Sequence, residues 1–128
     1  MKTLLPIFTL LFTLMFSSTS FAEWTKVSKG VKGNISYVDY ERIRKHDGFV
    51  YYWVLVDLLK PSKHGDLSSK VYTQGDCKLF RLKYLSFSHH KGPMGSGAFE
   101  TYNKPDKEWR YPSPNSSIEE ILKQVCSR

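Results

Sequence analysis

A chain of 128 residues is long enough for one domain, and its 19 Lys and Arg against 12 Asp and Glu leave it basic. The cations are scattered, with no block of five or six, so no basic tail is expected. The excess favours acidic partners, such as anionic lipid, polyanions or acidic protein surfaces, and otherwise serves solubility.

Met1-Lys2-Thr3 is positively charged, Leu4 to Phe16 is apolar apart from Pro6, Thr9 and Thr13, and Ser17 to Ala22 is small and polar. This is the three-part layout of a secretory signal peptide, with a cut expected between Ala22 and Glu23. The apolar run is shorter than the roughly 20 residues a spanning helix needs. No cysteine sits near the cut, so a lipid-modified N-terminus is not expected, and no later stretch is apolar enough to span a bilayer. Residues 23–128 then form one domain in the periplasm or at the cell surface.

Within that domain, Trp24–Val27 alternates briefly as a first strand, and Gly30 and Gly33 mark a turn. Ile35–Tyr40 alternates again, followed by the basic stretch Arg42–Lys45 and the hairpin signal Asp47-Gly48. Phe49–Leu59 is apolar on both faces until Asp57 and rich in β-branched and aromatic residues, which predicts a central strand covered at least in part on both sides. Ser68–Thr73 and Lys78–Ser88 read as two strands around a Gln74-Gly75-Asp76 turn. His89–Gly97 reads as a glycine-rich loop, Ala98–Tyr102 as a further strand, and Asn103–Pro114 as turn-rich. At the end, Ser117 and Glu120 form a capping box, and Ile118, Ile121, Leu122 and Val125 make one helical stripe. The reading is an α+β fold: an antiparallel sheet of five to six strands with one C-terminal helix packed on it.

Cys77 and Cys126 are too far apart for a redox C-x-x-C pair and lack nearby histidines for zinc, so in an oxidising compartment they are expected to form one disulfide. It would close a loop of roughly fifty residues and contribute on the order of 4 kcal/mol. It would also tie the helix end to the sheet.

Adjacent His89 and His90 would point to opposite faces if they lie in a strand, so they make a poor joint metal site. Gly92–Gly97 lacks the Lys-Ser/Thr of a phosphate-binding loop. Ser68, Ser69, His89, His90, Asp57 and Glu100 offer no nucleophile-elbow context. No cofactor, metal or specific nucleic-acid partner is expected. A single helix cannot cover a whole sheet, so some aromatics must face outward. Tyr84 and Trp109, with Arg81, Lys83 and Arg110, are the candidate protein-binding surface.

Several segments taken together resemble the bacterial surface-adhesin protein E family: Trp24 with Val27, Ile35–Asp39, Ile43-Arg44, Trp53–Asp57, Ser68-Ser69-Lys70, Asp76-Cys77, Gly92–Gly97, Glu108–Tyr111 and the helix closing at Cys126. The resemblance covers nearly all of residues 23–128. It implies an antiparallel sheet with a disulfide-tied helix and a non-enzymatic adhesin that binds host extracellular-matrix or plasma proteins. The alternatives are a periplasmic accessory protein and a small basic hydrolase or nuclease acting through His89 or His90.

Overall fold

The computed structural model describes residues 23–128, so the leader lies outside the described residues. Seven strands form one antiparallel sheet: β1 (Thr25–Lys29), β2 (Ile35–Val38), β3 (Arg44–His46), β4 (Phe49–Asp57), β5 (Ser68–Asp76), β6 (Arg81–His90) and β7 (Phe99–Tyr102). Their order is β1-β2-β4-β5-β6-β7, with β3 also beside β4. Among the described residues a single α-helix, α1 (Ser117–Cys126), follows.

The strand beyond the expected count is β3. It is three exposed residues, Arg44, Lys45 and His46, with no apolar alternation to betray it. It forms because β4 is long enough for two partners along one edge. Val38 of β2 pairs with Val54, a short 3-10 turn at Tyr40–Arg42 steps aside, and Arg44 then pairs with Tyr51. Asp47 and Gly48, at φ 51° and 81°, supply the left-handed pair that such a hairpin requires.

The core lies between α1 and one face of the sheet. Val38, Val50, Tyr52, Val54 and Leu82 meet Ile121, Leu122 and Val125 there. Ile118, the fourth member of the helical stripe, stays 41% exposed at the first turn. The cap sits one residue earlier than the sequence suggests. Ser116 Oγ, not Ser117, accepts the Glu119 amide at 3.1 Å, and Glu119 Oε1 accepts the Asn115 amide at 3.2 Å. Ser117 is free to bond Ser28 of β1 through its hydroxyl at 2.8 Å.

Gly75 is not in a turn. It continues β5 opposite Val50, and the turn into β6 is Cys77–Phe80. A Cβ on Gly75 would lie 2.9 Å from Val50 Cγ1, 3.0 Å from Leu122 Cδ1 and 3.1 Å from Tyr52 Cε1. Its missing side chain is what lets the helix sit down on the sheet. Cys77 and Cys126 are bonded, which fastens the last residue of α1 to the same turn.

The opposite face of β4 is covered only at its far end. The Gly92–Gly97 loop folds back there over Leu55, which is fully buried. The Ser68 hydroxyl donates to the Gly92 carbonyl at 2.7 Å and accepts the Gly95 amide at 2.8 Å. Asp57 Oδ1 accepts the Met94 amide at 2.8 Å. Those amides are committed to the sheet, so the loop is a lid on Leu55 rather than a phosphate cradle.

Two outcomes test this packing. Cys126→Ser should lower the denaturation midpoint by the equivalent of about 4 kcal/mol, with wild type under reductant behaving alike; a midpoint unmoved by reductant would contradict the tie. Gly75→Ala should destabilise by about 1–3 kcal/mol, because all three neighbours are themselves locked in the core, read by urea unfolding.

Candidate functional site

The face of the sheet opposite α1 is lined by alternate residues of its central strands. Phe49, Tyr51 and Trp53 of β4 share that face with Tyr72 and Gln74 of β5, their register partners, and with Arg81 and Lys83 of β6. The aromatic rings form a broken row. Phe49 lies 5.5 Å from Trp109, Tyr51 lies 6.2 Å from Tyr72, and Tyr72 lies 4.8 Å from Trp53. These side chains are half-buried, and among the described residues no helix covers them.

Cations are interleaved with the rings. Arg81 stacks over Trp109 at 4.3 Å and Lys83 at 4.8 Å, a cation-π clamp from two successive positions of one strand face. Lys70 lies 6.0 Å from the Trp24 ring, and Arg44 stands opposite Tyr51 in the register. Arg81 is also fixed from behind by Asp76 at 2.9 Å. Burial pushes the Asp76 carboxyl up, but hydrogen bonds from Arg81 and from the Leu79 and Lys78 amides outweigh it and hold it below the usual carboxylate range.

Trp109 reaches this face because its neighbours are pinned beside β6. Leu82 and Arg110 exchange two backbone hydrogen bonds, at 2.9 and 2.8 Å. The Asp106 carboxylate accepts Arg110 Nε at 2.6 Å and the Tyr84 amide at 2.9 Å. The Arg110 bond, helped by the Tyr84 amide against the opposing effect of burial, lowers the Asp106 pKa.

The five residues singled out from the sequence therefore divide. Arg81, Lys83 and Trp109 come together on the helix-free face. Tyr84 falls on the helix side, where burial raises its phenol pKa and it lines a cavity of about 80 Å³ under the first turn of α1. Arg110 stacks on Tyr84 at 4.6 Å. Alternation decides this: in one strand, positions 81 and 83 share a face that 84 cannot. Phe49, Tyr51, Trp53 and Tyr72 were the members missed. The signal for them was present in the i, i+2 spacing of β4, once the helix-facing set was known.

His89 and His90 lie in β6 rather than in a loop, and they take opposite faces. His89 Nδ1 is 2.9 Å from Ser69 Oγ in an open cleft on the helix side. No carboxylate bonds its other nitrogen among the described residues, so the pair stops short of a hydrolytic triad. His90 is buried, with Nε2 2.7 Å from Ser88 Oγ and Nδ1 without a partner, and it stacks on Phe99 at 5.1 Å. Among the described residues no three His, Cys, Asp or Glu gather around a metal-sized space.

Among the described residues the result is a single-sheet α+β domain with one largely uncovered face of aromatic and basic side chains. Residues 24–127 match the family described as surface-adhesin protein E, and the chain belongs to that family. Crystal form II of Haemophilus influenzae protein E superposes with a TM-score of 0.64 at 17% identity, over 85% of this chain and 91% of that one. Protein E from non-typeable Haemophilus influenzae gives a TM-score of 0.60 at 17% identity, over 87% and 79%. At such identity the likeness is one of fold. No curated protein matches. Among the described residues no helix is long and apolar enough to cross a membrane.

Burial, then the neighbouring charges of Lys70 and His89, lower the His90 pKa, with Asp66 opposing. The unfolded chain therefore takes up this proton first, and stability is full above the ordinary histidine value of about 6.5 and declines as pH falls below it. Denaturation midpoints at pH 7.5 and 5 should diverge more for wild type than for His90→Gln. Parallel curves would show that His90 carries no such penalty.

Proposed function

We propose that the chain is an exported, non-enzymatic binding protein that holds acidic segments of host extracellular-matrix or plasma proteins on the helix-free face. The observation that carries the reading is Trp109 with both Arg81 and Lys83 packed against its ring at the end of a largely uncovered aromatic row. Trp, Tyr and Arg are the residues most enriched at binding hot spots, because rigid rings bury area at low entropic cost and guanidinium groups pair with carboxylates. The basic composition steers acidic partners to the surface. Membership of a surface-adhesin family supports the same reading, and so does a leader with the layout of a signal peptide.

Lys83 and Arg44 are suited to the test, because Arg81 also neutralises the buried Asp76 and its loss would disturb the fold. Lys83→Glu/Arg44→Glu and Trp109→Ala should each weaken binding to a panel of purified matrix and plasma glycoproteins by about tenfold or more, roughly 1.4 kcal/mol. Affinity should also fall with added salt. Lys123→Ala on α1 should change nothing. Equal binding by all variants, or none by wild type, defeats the reading. Protease digestion of the tagged protein on intact cells would favour the cell surface; protection until permeabilisation would favour a periplasmic accessory role.

A further inference from the structure

The helix is too short to cover its own side of the sheet. Beyond its first turn, past Val56 and Val71, that face opens into a cleft of about 710 Å³. Ser69 and His89 form its floor, the loop between β4 and β5 walls one side with Asp66, and β7 walls the other with Glu100 and Tyr102. None of these residues belongs to the aromatic-basic face.

The cleft's chemistry narrows what it can hold. One aromatic surface is presented to solvent inside the cleft: Tyr102 is 45% exposed, whereas Phe99, at the rim, turns its ring to the other face against His90. The Tyr102 ring leans on that of His89 at 5.7 Å, which fixes its orientation. Around them stand acceptors. Asp66 Oδ1 takes Lys91 at 3.0 Å, and Glu100 Oε2 takes the Tyr102 hydroxyl at 2.7 Å. The second oxygen of each carboxylate has no partner among the described residues. Lys91 is already shared between Asp66 and the His64 carbonyl at 2.6 Å, so it offers little to a free anion that two carboxylates repel. A metal ion lacks three ligands here. A wholly apolar ligand would strip water from both carboxylates without replacing it.

A molecule with one C–H face and a rim of hydroxyl donors meets all these conditions. We propose that this cleft binds a neutral carbohydrate, one or two pyranose rings with one of them stacked on Tyr102 and ring hydroxyls donating to the unpaired oxygens of Asp66 and Glu100. The volume is within the range of roughly 300–1,000 Å³ of small-molecule sites. The site is independent of the protein-binding face.

The test is a titration of the ¹⁵N-labelled protein with lactose, cellobiose and diacetylchitobiose to tens of millimolar, beside an array of neutral, sialylated and sulfated oligosaccharides. Saturable shifts at Asp66, Ser69, His89, Glu100 and Tyr102 are expected. Tyr102→Ala and Glu100→Gln should each weaken binding by about tenfold, and Lys83→Glu should leave it unchanged. Glu100→Gln keeps the shape of β7, so its loss of binding does not reduce to loss of the strand. The proposal is overturned if no neutral sugar binds in either format, or if both variants bind as wild type does. It is also overturned if only sulfated or sialylated glycans bind and Lys83→Glu abolishes that binding.

Discussion

The seating of α1 against β5 fixes the rest of the molecule. Leu122 can approach the sheet only because Gly75 has no side chain, and Cys126 is then in reach of Cys77 in the adjoining turn. Shape complementarity sets the position of the helix axis, and the covalent bond keeps its last turn from fraying. With the helix so placed, Tyr52 and Leu82 are buried. They sit in strands β4 and β6, on either side of β5. One layer is made, and among the described residues no second layer covers the other face.

That asymmetry explains the composition of the uncovered side. A face that is neither core nor fully wet suits side chains with an apolar body and a polar tip, and Tyr51, Trp53 and Tyr72 have both. Arg81 and Lys83 lay their stems and charge along Trp109 instead of burying them. The Gly92–Gly97 loop supplies the one piece of true cover, over Leu55, using Ser68 and Asp57 as anchors. The same features that stabilise this surface without a second layer are those that suit contact with another molecule.

Much of this was legible in the sequence. The strand-rich pattern, the helical stripe and the cysteine pair led to the α+β sheet with a tied helix, and the family resemblance agreed. Where the reading slipped, non-local contacts decided. β3 has no pattern of its own and exists because β4 offers an edge. Gly75 looked like a turn residue because glycine's commoner use is conformational, whereas here it makes room for Leu122. Ser116 and Ser117 are equally good caps in isolation, and Ser28 on a distant strand claims the second. In the candidate face, residue type is readable from the sequence, but Tyr84 falls on the helix side because it pairs with Thr73. The cleft at Ser69 and His89 depends on how far the helix reaches, which no local spacing records.

The helix also follows all seven strands in chain order, and this gives folding a direction. While the polypeptide emerges from its N-terminus, strands β1 to β7 can pair in sequence order, but the apolar face built by Val38, Tyr52, Val54 and Leu82 has no cover until Ser117–Cys126 arrives. Until then the sheet is sticky on one side and its Cys77 is unpartnered. A chain that stops short of α1 is thus a half-built, aggregation-prone sheet. Once α1 is made, the core and the disulfide close together, so this helix acts as the checkpoint for the fold.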